Sequence, residues 1–535
     1  MIISRYPLKF RLAALLIGAA ICGCATLPPG SDYPKVASTA LVNPDETTLG
    51  RHFETAANEN GGNSGFRMIS VGADGFLTRM QLIDSAERTL DLQYYIFRGD
   101  NTGRLLTDAA LRAADRGVRV RVLIDDGDTV SGDEQIAALA AHQSIEIRIF
   151  NPFAYRGHRK LLKTVEFMFN ARRLDYRMHN KLLVVDNSAA LIGGRNIGDE
   201  YFQIDPDSQF ADDDVFAAGP IVKLLSHTFD EFWNNALSIP NEALSARKSS
   251  HVALQEHRES TIEQPAQVKT GGIDYLKQVA TGEPFAGMLS GRLPLTWAHV
   301  QLVADSPDKK SAENGSMVGR LMHRPVAVAM GATRSELLMV TPYLIPGDEG
   351  MRLFEDLRRR NVRIRILTSS LESSTVLMAQ SGYMRYRLPL LKSGVELYEI
   401  RSLLGNAKGS GQTAAISRFG NYSLHAKLFV IDRQRLFVGS MNFDQRSMHL
   451  NTEIGLIIDS PALAEQVATR FEAMVQPVNS YQLALVPRES GSRQQLVWRT
   501  QEGGSPVEYE KEPARSRWQA AKVRFLSKLP MGGQL

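Results

Sequence analysis

Cysteine is nearly absent from this chain. Of its 535 residues only Cys22 and Cys24 are cysteines, and both stand close to the N-terminus. The rest of the chain therefore has no disulfide framework and no thiol chemistry. Excess charge is also lacking, because 62 basic residues against 58 acidic ones give a formal net charge of +4. That balance gives no support to nucleic-acid binding on charge alone.

Long hydrophobic runs are scarce as well. The apolar run from Leu12 to Ile21 is too short to span a bilayer, follows basic residues and precedes small ones, as in a secretory signal. Its end, "ICGC", resembles the lipobox of bacterial lipoproteins. The resemblance implies a signal peptide over residues 1–23, lipidation of Cys24 and a place on the periplasmic side of a bacterial membrane. Ala25 after the cysteine resembles the pattern of lipoproteins that are sorted to the outer membrane. An ordinary signal peptide or an uncleaved anchor is the alternative.

A long-period repeat is the main feature that the sequence does have. The runs "AERTLDLQYYIF" (86–97) and "GVRVRVLIDD" (117–126) are echoed by "ATRSELLMVTPYLI" (332–345) and "NVRIRILTSS" (361–370). In each copy a helix-like segment separates two strand-like runs, which favours a parallel or mixed sheet covered by helices. The sequence therefore predicts an α/β protein with two lobes of common origin.

The repeat also predicts the domain boundaries. They are 1–23 for the signal, 24–61 for an N-terminal linker, 62–240 for lobe 1, 241–315 for a connecting insertion, 316–475 for lobe 2 and 476–535 for a C-terminal segment. In the insertion, Asp305 and Lys309 either border a site or lie in a solvated loop, and the loop is favoured. The basic, partly amphipathic tail from Lys511 either packs on a domain or rests on an anionic membrane, and packing is favoured.

The strongest chemical signal is a duplicated motif. "MHNKLLVVD" (178–186) and "LHAKLFVID" (424–432) both read His-x-Lys-x4-Asp, and each is followed after six residues by a glycine turn ending in asparagine. One buried His–Lys pair is more often structural than catalytic, but two copies at matching repeat positions favour catalysis. The residues concerned are His179, Lys181 and Asn196 in the first copy and His425, Lys427 and Asn442 in the second.

These residue types suit a phosphodiester. Alternation along a strand places His179 and Lys181 on one face, and likewise His425 and Lys427. Lysines and amides stabilise phosphate oxygens, while one imidazole attacks phosphorus and the other protonates the leaving oxygen. If the lobes pack face to face, the two motifs form one site.

The carboxylates of the two copies divide into two groups. Asp186 and Asp432 fall on the opposite strand face and are predicted to bond backbone at the strand end. A nucleophilic imidazole needs a carboxylate on its far nitrogen. Aligning "NTEIGLIIDSPAL" with "QFADDDVFAAGPIV" on their prolines matches Glu453 with Asp212, which are the predicted orienting acids, with Asp214 in reserve.

Two acidic clusters raise the question of a cation. They are Asp212 to Asp214 and "DDGD" at Asp125 to Asp128. No histidine or cysteine ligand spacing accompanies either cluster. The second is interpreted as a solvated turn, and the sequence predicts no required metal and no cofactor.

The paired motifs resemble those of the phospholipase D superfamily over roughly residues 62–475. The resemblance implies two pseudo-twofold-related α-β-α lobes with the active site at their interface, a covalent phosphohistidine and no metal. His179 would be the nucleophile and His425 the acid, later base. The other motif residues would surround the phosphate: Lys181, Lys427, Asn196 and Asn442. Gly194 stands where the second copy has Ser440, so only one half would offer a hydroxyl to the phosphate.

Further segments, "QYYIFRGDNTGRLL", "IGGRNIGDEYF" and "YMRYRLPLLKSGVELYEI", resemble the bacterial cardiolipin synthases of the C type. The resemblance implies transfer of a phosphatidyl group to phosphatidylglycerol, with phosphatidylethanolamine as donor. A hydrolytic phospholipase D, an exported nuclease and a non-catalytic lipid-binding lipoprotein are the alternatives. The expected partners are the phospholipid bilayer and phospholipid substrates, with no nucleic acid. A monomer is expected, and an accessory protein is left open.

Overall fold

The protein is described by a computed structural model that covers most of the chain. The residues outside the description are 1–26, 128–135, 137, 158, 205–208, 245–251, 253, 257, 260–282, 314–318, 405–421, 489–490 and 529–535. The predicted signal peptide and its lipidated Cys24 therefore lie outside the described residues, as do Asp128 and much of the predicted insertion.

Strands and helices alternate along the described chain. The strands are Ser64–Ile69 (β1), Thr89–Tyr94 (β2), Arg119–Asp125 (β3), Ile145–Phe150 (β4), Leu182–Val185 (β5), Ala189–Gly193 (β6), Gln209–Ala211 (β7), Asp214–Ala218 (β8), Ser238–Pro240 (β9), Thr296–Ala304 (β10), Glu336–Val340 (β11), Arg363–Ser369 (β12), Glu396–Ile400 (β13), Tyr422–Leu424 (β14), Leu428–Ile431 (β15), Arg435–Gly439 (β16), Ile454–Asp459 (β17), Ser480–Arg488 (β18), Gly491–Glu502 (β19) and Ser505–Tyr509 (β20). The helices are Thr48–Glu59 (α1), Gly72–Ser85 (α2), Asn101–Asp115 (α3), Lys160–Leu174 (α4), Ile221–Asn234 (α5), Asn241–Leu244 (α6), Pro284–Leu289 (α7), Lys309–Glu313 (α8), His323–Gly331 (α9), Gly347–Arg359 (α10), Leu377–Tyr383 (α11), Arg387–Lys392 (α12), Gln445–His449 (α13), Pro461–Met474 (α14) and Arg517–Leu526 (α15), with short 3₁₀ turns at Pro44–Glu46 and Asp199–Tyr201.

All strands except β7 and β14 form one continuous sheet. From one edge its order is β9-β4-β3-β2-β5-β6-β8-β1-β10-β17-β16-β15-β11-β12-β13-β18-β19-β20. The run β4-β3-β2-β5-β6-β8 is repeated as β13-β12-β11-β15-β16-β17, on the other side of the antiparallel pair β1 and β10. The two predicted α/β lobes are thereby confirmed, and they are related by a pseudo-twofold axis at this pair.

The lobes share one core. Leu182 and Val184 of β5 pack in the same buried cluster as Leu428 and Val430 of β15, together with side chains of α5 and α14. The alternate residues of each strand, such as Leu183, face separate cores on the outer sides. Both faces of the motif strands are therefore covered, which explains why they are apolar at consecutive positions.

The segments on either side of the lobes pack on them. Before lobe 1, Lys35 Nζ donates to the carbonyl of Asn235 at 2.6 Å, and α1 buries Phe53. After lobe 2, β18 to β20 extend the sheet, and α15 contacts α11 while Trp518 and Phe525 remain exposed. Within the part of the chain that the structure describes, no helix has the length and apolar character needed to cross a membrane.

Asp125 and Asp126 of the "DDGD" segment do not lie in the solvated turn that the sequence suggests. Asp125 and Asp126 are fully buried at the end of β3. Asp125 accepts a hydrogen bond from the backbone N–H of Met178 at 2.8 Å, and Asp126 accepts one from Phe153 at 2.7 Å. The interpretation is wrong because these carboxylates bond the loops around the first motif, including the residue before His179.

Candidate active site

The two motif histidines lie just before β5 and β15 rather than within them. Both are buried, His179 at 7% exposure and His425 at 8%. The backbone N–H of His179 donates to the carbonyl of Thr452 at 2.9 Å, and that of His425 to Ala211 at 2.8 Å. Each histidine is therefore attached through its backbone to the opposite lobe.

Because of this backbone pairing, each histidine meets an acid from the opposite lobe. Thr452 and Ala211 directly precede Glu453 and Asp212. As a result, His179 Nδ1 lies 2.8 Å from Glu453 Oε2, and His425 Nδ1 lies 2.5 Å from Asp212 Oδ2. The two predicted acids do contact the two histidines, each across the interface, so neither lobe alone contains a complete histidine–acid pair.

The acids determine which ring nitrogen carries the proton. An ionised carboxylate only accepts, so Nδ1 of each histidine donates and Nε2 is left with its lone pair. Lys427 Nζ lies 2.9 Å from His425 Nδ1, but that nitrogen is already a donor, so the ammonium donates to the His425 carbonyl instead. Lys181 Nζ likewise donates to the carbonyl of His179, at 2.6 Å.

Burial dominates the protonation of the histidines and lysines. The pKa of His179 is far below its ordinary value because the ring is buried and Lys181 and Lys427 lie nearby. Burial lowers the pKa of His425 to about 3; Lys427 adds to this effect and Asp212 opposes it. Burial also lowers the pKa of Lys427 to about 8 and that of Lys181 well below its usual range. Without substrate, both imidazoles are therefore neutral.

The two acids differ in ionisation. Burial raises the pKa of Glu453 to about 7, and Lys181 opposes the shift only in part. Burial acts on Asp212 in the same direction, but its interactions with His425 and Lys427 outweigh it and hold the pKa of Asp212 below its ordinary value. Asp212 is therefore the stronger anion of the two.

The residues at positions 194 and 440 differ according to the acid beside them: glycine lies beside Asp212, and serine lies beside the longer Glu453. A β-carbon at Gly194 would lie 2.0 Å from Asp212 Oδ1, so only glycine leaves room for this carboxylate. In lobe 2, the Ser440 hydroxyl donates to Glu453 Oε2. The serine that the resemblance assigns to the phosphate therefore bonds the longer acid in this structure.

The asparagines and histidines border one cavity. His179, His425, Asn196 and Asn442 line a space of about 400 Å³ between the lobes. Asn196 Nδ2 donates to the Tyr201 hydroxyl at 2.9 Å. Several lining residues were not identified as site residues from the sequence: Tyr95, Arg98, Glu200, Tyr201, Phe210, Tyr343, Thr375 and Arg446. Four of these, Tyr95, Arg98, Glu200 and Tyr201, lie in the segments that resemble the C-type cardiolipin synthases, and this resemblance could have identified them.

Asp186 and Asp432 lie outside this cavity and bond backbone. Asp186 accepts hydrogen bonds from the N–H groups of Arg88 and Thr89, both at 2.8 Å. Asp432 accepts one from the N–H of Ser335 at 2.7 Å. Both aspartates have a positive φ, near 50°, where the motif strand turns. They stabilise the turn that returns each chain from the motif strand to its partner.

Asp214, the reserve candidate, contacts neither a histidine nor a lysine of the motifs through any of its described hydrogen bonds or ion pairs. Its carboxylate lies 2.9 Å from Arg79 Nη1 and 3.1 Å from Arg195 Nη1, and all three side chains are buried. Asp214 is therefore the counter-ion of two arginines within lobe 1. The acid that orients the imidazole is two residues earlier.

Asp305 and Lys309 do not lie in a solvated loop. Both are fully buried and form an ion pair at 2.9 Å. Asp305 Oδ2 accepts a hydrogen bond from the N–H of Glu453, also at 2.9 Å, and Lys309 donates to the carbonyl of Asn451 at 2.7 Å. The loop interpretation is wrong because this pair holds the backbone that carries Glu453. Removing one partner of such a buried pair costs about 3–5 kcal/mol.

Comparison with known proteins gives a consistent result. The family described as "Cardiolipin synthase, PLD-like domain" matches the chain twice, over residues 80–233 and 326–475. Cardiolipin synthase C of Escherichia coli (strain K12) is 35% identical over 480 residues, which are 88% of this chain and 96% of that protein. The probable cardiolipin synthase YwiE of Bacillus subtilis (strain 168) is 23% identical over 436 residues, 80% of this chain and 71% of that protein.

Solved structures that share the fold include a phosphatidylserine synthase. The phosphatidylserine synthase of Haemophilus influenzae Rd KW20 superposes with a TM-score of 0.51 at 12% sequence identity, covering 80% of this chain and 92% of that one. At this identity the likeness concerns the arrangement of the chain only.

Proposed function

The chain belongs to the PLD-like family of cardiolipin synthases and is a phospholipid phosphatidyltransferase, and from this premise we propose that it makes cardiolipin. Phosphatidylglycerol would be the acceptor and a second phospholipid the donor, through a phosphohistidine intermediate. The observation that supports this mechanism is the crossed pairing of His179 with Glu453 and of His425 with Asp212, with both histidines on one cavity.

We assign the nucleophile to His179. Its Nδ1 proton is held by Glu453, which leaves the Nε2 lone pair for attack, and its low pKa keeps it neutral. An imidazolium is better stabilised at His425, because Asp212 is the stronger anion. His179 is therefore the neutral nucleophile. His425 becomes the acid when a negative charge balances the lysines.

The substrate itself supplies that balance. Burial and then the charge of Lys427 lower the pKa of His425; the negative charge of a phosphodiester offsets the lysine charges and, together with Asp212, favours a protonated His425. His179 Nε2 then attacks phosphorus, the bond from phosphorus to the head-group oxygen breaks, and His425 gives its proton to that oxygen. The products are a phosphatidyl-histidine and a free head-group alcohol.

The second half-reaction reverses these roles. His425 removes the proton from the hydroxyl of phosphatidylglycerol, the new alkoxide oxygen attacks phosphorus, and the phosphorus–nitrogen bond to His179 breaks. Water that enters instead of the lipid alcohol gives phosphatidic acid from the same intermediate. Transfer therefore requires that the acceptor exclude water from the cavity.

The proposal includes the two lipid substrates and the membrane at which the enzyme acts. The similarity to cardiolipin synthase C supports cardiolipin as the product, and we propose phosphatidylethanolamine as donor and phosphatidylglycerol as acceptor. The N-terminal sequence supports lipidation of Cys24 and a place on the periplasmic side of the outer membrane. Labelling with a radioactive fatty acid tests the anchor, since Cys24→Ala should remove the label.

One reconstitution tests the activity. The purified protein is incubated with phosphatidylethanolamine carrying a labelled head group, with and without phosphatidylglycerol, and the products are identified by mass. We expect cardiolipin and free ethanolamine that depend on phosphatidylglycerol. Phosphatidic acid as the sole lipid product in the presence of phosphatidylglycerol would instead indicate a hydrolytic phospholipase D.

A further inference from the structure

One wall of the cavity combines aromatic rings with an ion pair. The rings of Tyr201 and Phe210 lie 5.3 Å and 5.2 Å from that of His425, centroid to centroid. Glu200, the neighbour of Tyr201, pairs with Arg98 at 3.1 Å, and both charged side chains line the cavity. The segment that contacts the His425 ring through Tyr201 therefore also carries a carboxylate, and the guanidinium paired with it follows Tyr95, whose ring lies 5.1 Å from that of His179.

The two charges of this pair are unequally exposed. The side chain of Glu200 is 9% exposed and that of Arg98 is 40% exposed. Burial raises the pKa of Glu200 and Arg98 opposes the shift, so the carboxylate gains from any further cation. Tyr201 and Phe210 also present ring surface, which favours an organic cation.

The in-line geometry of displacement at phosphorus indicates what this wall contacts. In displacement at phosphorus the leaving oxygen departs on the side opposite the nucleophile. If His179 attacks and His425 protonates, the donor head group leaves along the wall beside His425. The acceptor alcohol must enter along the same wall, because His425 also removes its proton.

We propose that Arg98 and Glu200 form the head-group subsite of the transferase. The Glu200 carboxylate receives the ammonium group of a zwitterionic donor lipid, and the Arg98 guanidinium receives the phosphate of the anionic lipid acceptor. The pair thus serves both half-reactions, and each residue acts in one of them. This assignment rests on the proposed function and specifies how its two lipids are distinguished.

The positions of lobe 2 that are equivalent to Arg98 and Glu200 do not repeat this ion pair. Arg446 stands four residues after Asn442, as Glu200 does after Asn196. Ile345 occupies the place of Arg98, since the N–H of each donates to the residue after the motif asparagine, Ile345 to Phe443 and Arg98 to Ile197. Arg446 pairs instead with Asp175 at 2.6 Å, and Asp444 also lines the cavity on that side. The Arg98–Glu200 pair therefore belongs to lobe 1, whose Tyr201 borders His425.

The first experiment tests the carboxylate. The Glu200→Gln variant is assayed with phosphatidylethanolamine or with phosphatidylglycerol as the sole donor to phosphatidylglycerol, by kcat/KM. A lost charge-assisted contact should lower the value for phosphatidylethanolamine about tenfold or more and change the other by less than about twofold. Glu200→Asp, which keeps the charge, should recover part of the difference. An equal fall with both donors in the folded variant, checked by its thermal midpoint, would overturn the subsite.

The second experiment tests the guanidinium. The Arg98→Gln variant is given one donor, phosphatidylethanolamine, and a mixture of phosphatidylglycerol and free glycerol as acceptors. Because both products arise from one intermediate, their ratio is independent of any effect on the donor. We expect the ratio of cardiolipin to phosphatidylglycerol formed from glycerol to fall about tenfold. An unchanged ratio would overturn the role of Arg98.

A matched control separates the contact from net charge. Arg446→Gln also removes one guanidinium from the cavity, but from lobe 2, and should leave this product ratio at the wild-type value. The same fall as in Arg98→Gln would overturn a local subsite. If the wild-type protein transfers to no alcohol, the proposed function fails. Even then, the relative rates of ethanolamine and glycerol release by Glu200→Gln would test the subsite separately.

Discussion

The two half-sites carry the same motif but differ in the acid that each histidine meets. His425 contacts Asp212, a short acid with a low pKa that lies where glycine leaves room. His179 contacts Glu453, a longer acid with a pKa of about 7. Only His425 therefore has a strong counter-ion for an imidazolium. A duplicated fold thus gives two imidazoles in similar positions, and the acids from the opposite lobes give them different electrostatic surroundings.

The largest effect should come from removing either histidine, and it should separate their roles. With phosphatidylethanolamine we expect both His179→Ala and His425→Ala to lose about 10⁴-fold or more in kcat. With a phosphatidyl ester of p-nitrophenol, whose leaving group needs no acid, His425→Ala should still give a burst of p-nitrophenol and His179→Ala none. A burst from His179→Ala would reverse the assignment.

Removing the acids should have the next largest effect. Glu453→Gln and Asp212→Asn each leave an imidazole without the anion that fixes its tautomer, so we expect losses of about 10²-fold to 10⁴-fold in kcat/KM. Asp214→Asn serves as the comparison, because its partners are Arg79 and Arg195; it should lower the thermal midpoint while its folded fraction keeps more activity than Asp212→Asn. Equal losses in both aspartate variants would contradict the pairing.

The glycine and serine behind the acids should show a smaller difference. In Gly194→Ala the new methyl group displaces the Asp212 carboxylate, and we expect a loss of about 10-fold to 100-fold in kcat/KM. Ser440→Ala removes one hydrogen bond to Glu453 and should cost about tenfold or less. Steady-state rates of cardiolipin formation measure both. A larger loss in Ser440→Ala would show that the hydroxyl acts on the substrate.

Changes of pH within about one unit of neutrality should have the smallest effects on kcat/KM, which reports the free enzyme. Below pH about 7 Glu453 gains a proton and no longer accepts from His179, so activity falls as the pH falls. Above pH about 8 Lys427 loses its charge, so activity falls as the pH rises. Each limb approaches tenfold per pH unit. Glu453→Gln should lack the acidic limb and keep the alkaline one; an unchanged profile would contradict the account.

Much of this arrangement follows from the sequence. The repeat predicts the two α/β lobes, and the prolines of the repeat align Glu453 with Asp212 because β17 and β8 occupy equivalent places. An internal repeat can be recognised from a single sequence. It identifies equivalent residues without showing which residues touch.

The parts that the sequence does not predict depend on contacts between distant segments. The crossing of the acids follows from the backbone bonds of His179 to Thr452 and of His425 to Ala211, which only the packed lobes reveal. Asp305 and Lys309 have no counterpart in the repeat, and polar residues between domains are usually solvated. Their burial beneath Glu453 reverses that expectation.

Trapping the phosphohistidine would show whether His179 is the nucleophile. The His425→Ala variant is mixed with the phosphatidyl p-nitrophenol ester, quenched at alkaline pH to preserve a phosphorus–nitrogen bond, digested and examined by mass spectrometry. We expect a phosphatidyl group on His179, in the peptide that contains "MHNKLLVVD". A phosphatidyl group on another residue, or p-nitrophenol release with no covalent lipid on the protein, would contradict this assignment.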